Sequence, residues 1–296
     1  VQRRKLAGPL IYWCCERESI RKKRVAGAPY PWTEDPILRQ YRFTNLRRRD
    51  DRVSQWIIKH VLERGLDHEL DVFLKWSALA RWVNWPPTLE KAQRMNCISR
   101  TDIDLIAIGQ LIDALVAQDE KAWTGAYMIR PAKPPYSPMR KGMFIATIVV
   151  GKEFVGVIDR VKLGLSANSV QATCELLQEA NFWGPFMAGQ VVADWTYTPL
   201  LASAADLNTW APQGPGSRRG FNRLLGRPLK QHISPEEWSE QLQLWRAEII
   251  QELGAEYTTL TAMDVQNALC ETDKYLRVRY GEGRPRAVYD TAEGLF

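Results

Sequence analysis

Four stretches of this chain gather charge beside glycine or aromatic residues at spacings that could do chemistry. In the run Asn267 to Arg277, helical spacing puts Asn267, Glu271 and Lys274 on one side. There Glu271 and Lys274 could transfer a proton or bind an amine, with Arg277 following as a phosphate contact. A surface i,i+3 ion pair is the plainer alternative. Cys270 lies in the same run, but no histidine is near it in sequence, so it reads as packing rather than as a nucleophile.

The run Tyr41 to Arg52 sets Arg42, Arg47, Arg48 and Arg52 around Asn45. Guanidinium forks suit phosphate oxygens, and Asn45 could read an edge or hold a loop. The alternative is a solvated, salt-bridged helix start. Residues Gly214 to Gly220 read as a glycine- and arginine-rich loop, in which Gly214, Gly216, Ser217, Arg218 and Arg219 could close on phosphate or pyrophosphate. It lacks the Lys-Ser/Thr ending of a P-loop, so ATP hydrolysis is not supported; a flexible connection is the alternative.

The fourth stretch, Asn181 to Gly189, turns at Gly184 between two expected helices. Such a hairpin exposes backbone N–H groups at a helix N-terminus and can hold a DNA phosphate without sequence preference; a plain interhelical turn is the other reading. Asp194 and Asp206 follow it. A carboxylate just beyond such a turn could stabilise an oxocarbenium-like sugar, or activate water, as an N-glycosidic bond breaks. Tyr41, Trp183 and Tyr197 are the candidates on which an extruded base would stack.

These residues need a scaffold, and the chain can build one: 296 residues, 45% of them hydrophobic, suffice for one large domain or two packed ones. Forty Lys and Arg against thirty-four Asp and Glu leave +6, which favours polyanionic partners. Five cysteines without a CxxC pair, and only three histidines, argue against a disulfide framework, a zinc site or any metal centre, and no cofactor is expected. No apolar run approaches the roughly 20 residues that cross a bilayer, so a cytoplasmic, monomeric protein with no membrane contact is expected.

The periodicity predicts helices almost throughout. A basic opening segment is expected to be a short helix giving way to an extended stretch at Pro29, Pro31 and Pro36. Helices are expected from about Asp50 to Gly65, from Leu70 to just before Pro86, and from a Thr101 cap to Gln118. A break at Pro131, Pro134, Pro135 and Pro138 suggests two lobes, 1–130 and 131–296, although one compact domain is also possible. Ser166 is expected to cap a helix to about Ala180, Ser234 one to about Glu252, and a last helix spans about Thr261 to Leu276. Met143 to Val150 fits a strand or a buried helix.

Taken together, PWTEDPILRQYRFTNLRRRDDRV, FMAGQVVADWTYTPLL, GPGSRRGFNRLLGR and QNALCETDKYLRVRYGEGRPR resemble the alpha-glutamyl/putrescinyl thymine pyrophosphorylases and the helical domain attached to 5-hydroxymethyluracil DNA kinases. The resemblance runs from about Trp13 to Arg286. It implies a mainly α, two-lobed fold similar to helix-hairpin-helix DNA glycosylases, used on hypermodified bases of double-stranded phage DNA. Some relatives look like transferases, others like anti-phage glycosylases. In the glycosylase pattern the catalytic aspartate falls some twenty residues past the hairpin glycine. Asp206 lies 22 residues from Gly184 and Asp194 lies 10, so Asp206 has the better spacing and Asp194 the better local motif.

Excision of a hydroxymethylated or glucosylated pyrimidine, leaving an abasic site, is narrowly the preferred expectation. The alternative is transfer of an amino acid or polyamine to pyrophosphorylated 5-hydroxymethyluracil, with the Gly214 to Gly220 loop holding the leaving group. A third class, a module that only binds modified DNA, predicts that loss of either aspartate leaves function intact.

Overall fold

A computed structural model describes residues 2–125, 127 and 132–289 of the chain. In chain order the helices are α1 (Gln2–Val25), α2 (Pro36–Gln40), α3 (Arg52–Ile57), α4 (Leu70–Val83), α5 (Pro86–Arg94) and α6 (Leu105–Ala117). A π-helical stretch, Phe144–Phe154, precedes α7 (Ile158–Ser166), α8 (Val170–Leu177) and α9 (Pro185–Trp195). Then come α10 (Pro215–Leu224), α11 (Pro235–Leu253) and α12 (Ala262–Arg279). The protein is mainly helical, and pairing between extended segments among the described residues is limited to two isolated bridges, Tyr41 with Val288 and Ile98 with Ile103.

The chain divides into two compact units that are not sequential halves: Val1–Asp51 with Leu207–Phe296, here unit 1, and Arg52–Asp206, unit 2. The division expected near residue 130 therefore falls elsewhere. The loop carrying Pro134, Pro135 and Pro138 lies inside unit 2, and Pro131 lies outside the described residues. The reason is long-range packing, which local punctuation does not report: α1 packs on α11 and α12, joining the first helix to the last two.

Unit 1 is held by aromatic burial. Along α11 the buried residues Trp238, Leu242, Trp245 and Ile249 recur at steps of three and four, the stripe of a one-sided helix. Phe221 of α10 meets the rings of Trp238 and Trp245 at 5.4 and 5.2 Å. Ser234 caps α11 as expected, accepting from the Glu237 N–H, and Thr261 with Asp264 forms a reciprocal capping box on α12. The opening helix is longer than its prolines suggested, reaching Val25.

In unit 2 the apolar run Met143 to Val150 is helical, because burial of Phe144, Ile145, Ala146, Val149 and Val150 covers both sides of what would otherwise be a strand. Two expected caps shift. Asp104, not Thr101, caps α6, its Oδ1 accepting the Ala107 N–H at 2.8 Å. Ser166 ends α7, and Ser169 caps α8. Helices α7 and α8 touch so closely that a Cβ on Gly164 would stand 2.6 Å from the Thr173 backbone. Among the described residues no helix is long and apolar enough to cross a membrane.

Candidate functional site

Three of the four chemistry-bearing stretches converge in unit 1, with α12 as their common support. On one side of α12 lies the segment following α2. The Thr44 N–H donates to Glu271 Oε2 at 3.0 Å, and Asn267 Nδ2 donates to Thr44 Oγ1 at 2.9 Å. Lys274 Nζ meets the same Glu271 Oε2 at 2.5 Å and stands 4.7 Å above the Phe43 ring. The Arg48 N–H donates to Asp264 Oδ1 at 2.9 Å. Residues 264, 267, 271 and 274 are three or four apart, so a single helix face fixes this segment. Arg17 of α1 closes it from behind, its Nε donating to Thr44 O at 2.9 Å and Phe43 O at 3.3 Å. Within the segment, Asp51 Oδ1 accepts the Asn45 N–H at 2.8 Å and Asn45 Nδ2 donates to Asp50 O at 2.7 Å.

On the other side of α12 lies α10. The glycine-rich stretch is the cap and first six residues of this helix, starting at Pro215 with Gly214 as its cap residue, and not a loop. Its glycines serve close packing: a Cβ on Gly220 would stand 2.2 Å from the Leu269 carbonyl oxygen, and one on Gly216 would meet Cys270 Sγ at 3.1 Å. Ser217 Oγ donates to Gly214 O and accepts from Gln266 Nε2, both at 3.1 Å. Asp273, 1% exposed, accepts from Arg219 Nε at 2.9 Å and Arg223 Nε at 3.1 Å.

The electrostatics follow from burial. Burial raises the Asp51 carboxyl from an ordinary 3.8 to about 6, and nearby Glu271 adds to the rise; the Asn45 N–H, Arg17 and Arg48 oppose it. Burial, with Glu271 beside it, pushes the Cys270 thiol up to about 12, which keeps it neutral and unreactive. Burial lowers Arg17, which its neighbours Tyr289, Asp51 and Glu271 counteract. Glu271 itself is 8% exposed, so the Glu271–Lys274 pair is more than a surface i,i+3 contact. The arrangement sets a proton acceptor, Glu271, and a group that can carry a proton near neutrality, Asp51, among arginines and a lysine. Such a set can hold an anionic group and move a proton.

The remaining candidates take other places. Arg47 pairs with Asp50 at 3.2 Å and lies over Tyr257. Arg277 lies against Gly283, where a Cβ would meet its Nη2 at 2.6 Å. Tyr41 is buried at its bridge to Val288, Arg218 is half-buried on α10, and Arg52 is exposed at the start of α3.

The hairpin candidates lie in unit 2. Gly184 precedes α9, with open space where a Cβ would stand. Trp183 is 1% exposed and donates to Val149 O at 3.0 Å, so its ring is core and offers no face to a base. Phe182 and Phe186 are the exposed rings of this turn, and Tyr197 is half-buried. Asp194 is 1% exposed and its two oxygens are taken by Arg81, Oδ2 by Nε at 2.6 Å and Oδ1 by Nη2 at 2.5 Å. Asp206 holds the start of α8, accepting from Ser169 Oγ, Val170 N and Gln171 N, each at 2.8 Å. Both aspartates, expected as catalytic, have their two carboxylate oxygens engaged by these partners. Sequence reasoning passed over Arg17, Asp51 and Asp273: Arg17 is hidden in a basic helix, and Asp51 and Asp273 read as ordinary members of charged runs.

Fold and site together define a helical protein in which one face of α12 holds a charged segment through Asp264, Asn267, Glu271 and Lys274, with Arg17 and Asp51 close by. The chain belongs to the family of the 5-hmdU DNA kinase helical domain, whose model matches residues 5–284. No curated protein and no solved structure matches it.

Proposed function

We propose that this protein is an enzyme acting on a 5-hydroxymethylated pyrimidine in DNA, and that its chemistry is group transfer at the 5-methylene carbon, carried out in unit 1. The observation that carries this reading is the convergence of Thr44 and Lys274 on Glu271, with Asn267 holding Thr44 and with Asp51 and the arginines beside it. The family, tied by its description to 5-hmdU DNA kinases, supports the choice of base. In the step itself the nitrogen lone pair of a primary amine forms the new C–N bond. The C–O bond to a phosphoryl or pyrophosphoryl group breaks, and that group leaves with the electron pair. Glu271 takes the proton released from the ammonium; its Oε1 accepts no hydrogen bond from the described residues and is the atom available for it. Lys274 holds Oε2, orienting the carboxylate.

Excision is the second reading, and one feature favours it. Asp51, raised to about 6, could donate a proton while a second carboxylate activates water, the pairing that glycosidic cleavage uses. In that case Asp51 and Glu271, and not Asp194 or Asp206, would do the work. The test is incubation of the purified protein with DNA bearing 5-phosphomethyl- or 5-pyrophosphomethyl-uracil, with and without a primary amine, read by nucleoside mass spectrometry and abasic-site assay. A mass gain that needs the amine and disappears in Glu271→Gln supports transfer. Abasic sites formed without amine support excision, and product undiminished in Glu271→Gln removes both readings of this site.

A further inference from the structure

Beyond α12 the chain returns to the segment on which the Glu271 cluster is built. It passes Gly281 and Gly283, at φ +71° and +156°, with Glu282 between them held by Arg223. Residues 284–289 then run beside the segment that follows α2. Among the described residues two backbone hydrogen bonds join them, the Arg42 N–H to Ala287 O and the Tyr289 N–H to Gln40 O, each at 3.0 Å, on either side of the Tyr41–Val288 bridge. Tyr289 adds to this hold: its ring meets Trp32 at 5.7 Å and Tyr30 at 6.5 Å, and the Arg42 guanidinium stands 5.6 Å from its centre. Arg284, Arg286, Ala287 and Val288 are exposed, so this strap buries little besides that ring.

The closed strap keeps two charged donors dry. Arg17 Nη1 and Arg42 Nε are buried without a hydrogen-bond acceptor among the described residues. Tyr289 adjoins both arginines, its ring lying against the Arg42 guanidinium and its side chain among the neighbours of Arg17. A guanidinium N–H removed from water and left without an acceptor is unfavourable, and native proteins leave few of them. Closure therefore sets a buried ring and two backbone hydrogen bonds against two unsatisfied cationic donors. A segment so thinly held lies at the low end of local stability, and glycines at positive φ supply a hinge that other residues would resist.

We infer that residues 284–289 are a strap that opens about Gly281 and Gly283, with Tyr289 as its latch, closing the Arg17 side of the Glu271 cluster when its ring is seated on Trp32 and Tyr30. That the strap guards a reaction site rests on the reading of unit 1 given above; that it opens does not. Arg17 serves the carbonyls of Phe43 and Thr44, the residues next to the bridged stretch, and the Thr44 N–H serves Glu271. Closed, the strap pins this stretch between Arg17 and α12. Open, it returns Arg17 to water, and the space that Tyr289 leaves is the way into the cluster.

The experiment uses the full chain and two readouts that need no turnover. One is amide-resolved hydrogen exchange; the other is the rate at which phenylglyoxal, an arginine-directed reagent, modifies Arg17, mapped by peptide mass spectrometry. In the wild type the Arg42 and Tyr289 amides are expected to exchange at a common rate, about tenfold or more faster than the core amides of α12. Exchange of these two amides only with global unfolding overturns the strap. Tyr289→Ala is expected to speed Arg17 modification about tenfold or more while α12 keeps its protection. Loss of α12 protection in that variant makes Tyr289 ordinary core, and an unchanged Arg17 rate makes the strap irrelevant to access; either result overturns the inference. A lock supplies the converse. Tyr41 and Val288 oppose one another without mutual hydrogen bonds, a pairing in which Cα atoms stand about 4.5 Å apart, within the span of a disulfide. In the double variant Tyr41→Cys with Val288→Cys, oxidation is expected to slow Arg17 modification about tenfold or more, and reduction to restore it. A rate indifferent to the bridge overturns the gate. A protein that gives these results but fails the transfer assay keeps the strap and loses the reaction site it guards.

Discussion

Replacing Asp194 by Asn separates a structural aspartate from a catalytic one. Its side chain and that of Arg81 are 2% and 4% exposed, and the two nitrogens and two oxygens meet at 2.6 and 2.5 Å. Although burial alone would lower it, Asp194 and Tyr127 hold the Arg81 pKa above its ordinary value, so the guanidinium stays charged at neutral pH. The Asp194→Asn substitution would leave a buried guanidinium without its counter-charge. Breaking a buried pair from one side costs about 3–5 kcal/mol. For a unit of this size that corresponds to a melting temperature lower by roughly 6–20 °C. A companion pair, Arg81→Met with Asp194→Leu, removes both charges and is expected to recover part of the loss. The recovery is partial because Arg81 also donates to Asn84 Oδ1 and Ser54 Oγ. The assay is thermal or urea unfolding together with product formed per folded molecule. Reduced stability with undiminished turnover of the folded fraction is the expected result. Unchanged stability with abolished turnover would show that the carboxylate takes part in the chemistry, and would refute the structural role inferred from its burial and pairing.

Two further outcomes follow from the geometry of unit 1. Gly220→Ala should be destabilising by about 1–3 kcal/mol or more through overpacking against the Leu269 carbonyl, whereas Gly8→Ala, with open space around its Cβ, should be neutral or stabilising by up to about 1 kcal/mol. Equal effects of the two in chemical denaturation would remove the close-packing role of the α10 glycines. Asp51→Asn should raise stability relative to wild type increasingly as pH rises. The wild-type carboxyl binds its proton more tightly when folded, so its favourable contribution is complete below about pH 4 and lost as pH passes through about 6. A melting-temperature difference that does not change between pH 4 and pH 7 would contradict the raised pKa.

Helical periodicity and capping chemistry were legible without coordinates because they are local. The stripe Trp238, Leu242, Trp245 and Ile249, the Ser234 cap and the placing of Asn267, Glu271 and Lys274 on one side of α12 all depend on residues within a few turns of one another. The shifted caps at Asp104 and Ser169 show the limit of that reading: neighbouring polar residues compete for the same N–H groups, and tertiary packing chooses the start of the helix. Which charged residues belong to a site was not a local matter. Arg17 reaches Thr44 across 27 residues of sequence, and Glu271 reaches it across 227. Asp194 and Arg81 are 113 apart. Sequence alone identified residue types able to hold anions and move protons, and it placed Asn267, Glu271 and Lys274 on the last helix, while the Gly214 to Gly220 stretch, expected as a loop, is helical. Only the tertiary structure decided that Glu271, Lys274 and Asp51 share one cluster while Asp194 and Asp206 are held by Arg81 and the start of α8. The physical reason is that the role of a carboxylate depends on the partners that burial brings to it, and those partners are set by how distant helices pack.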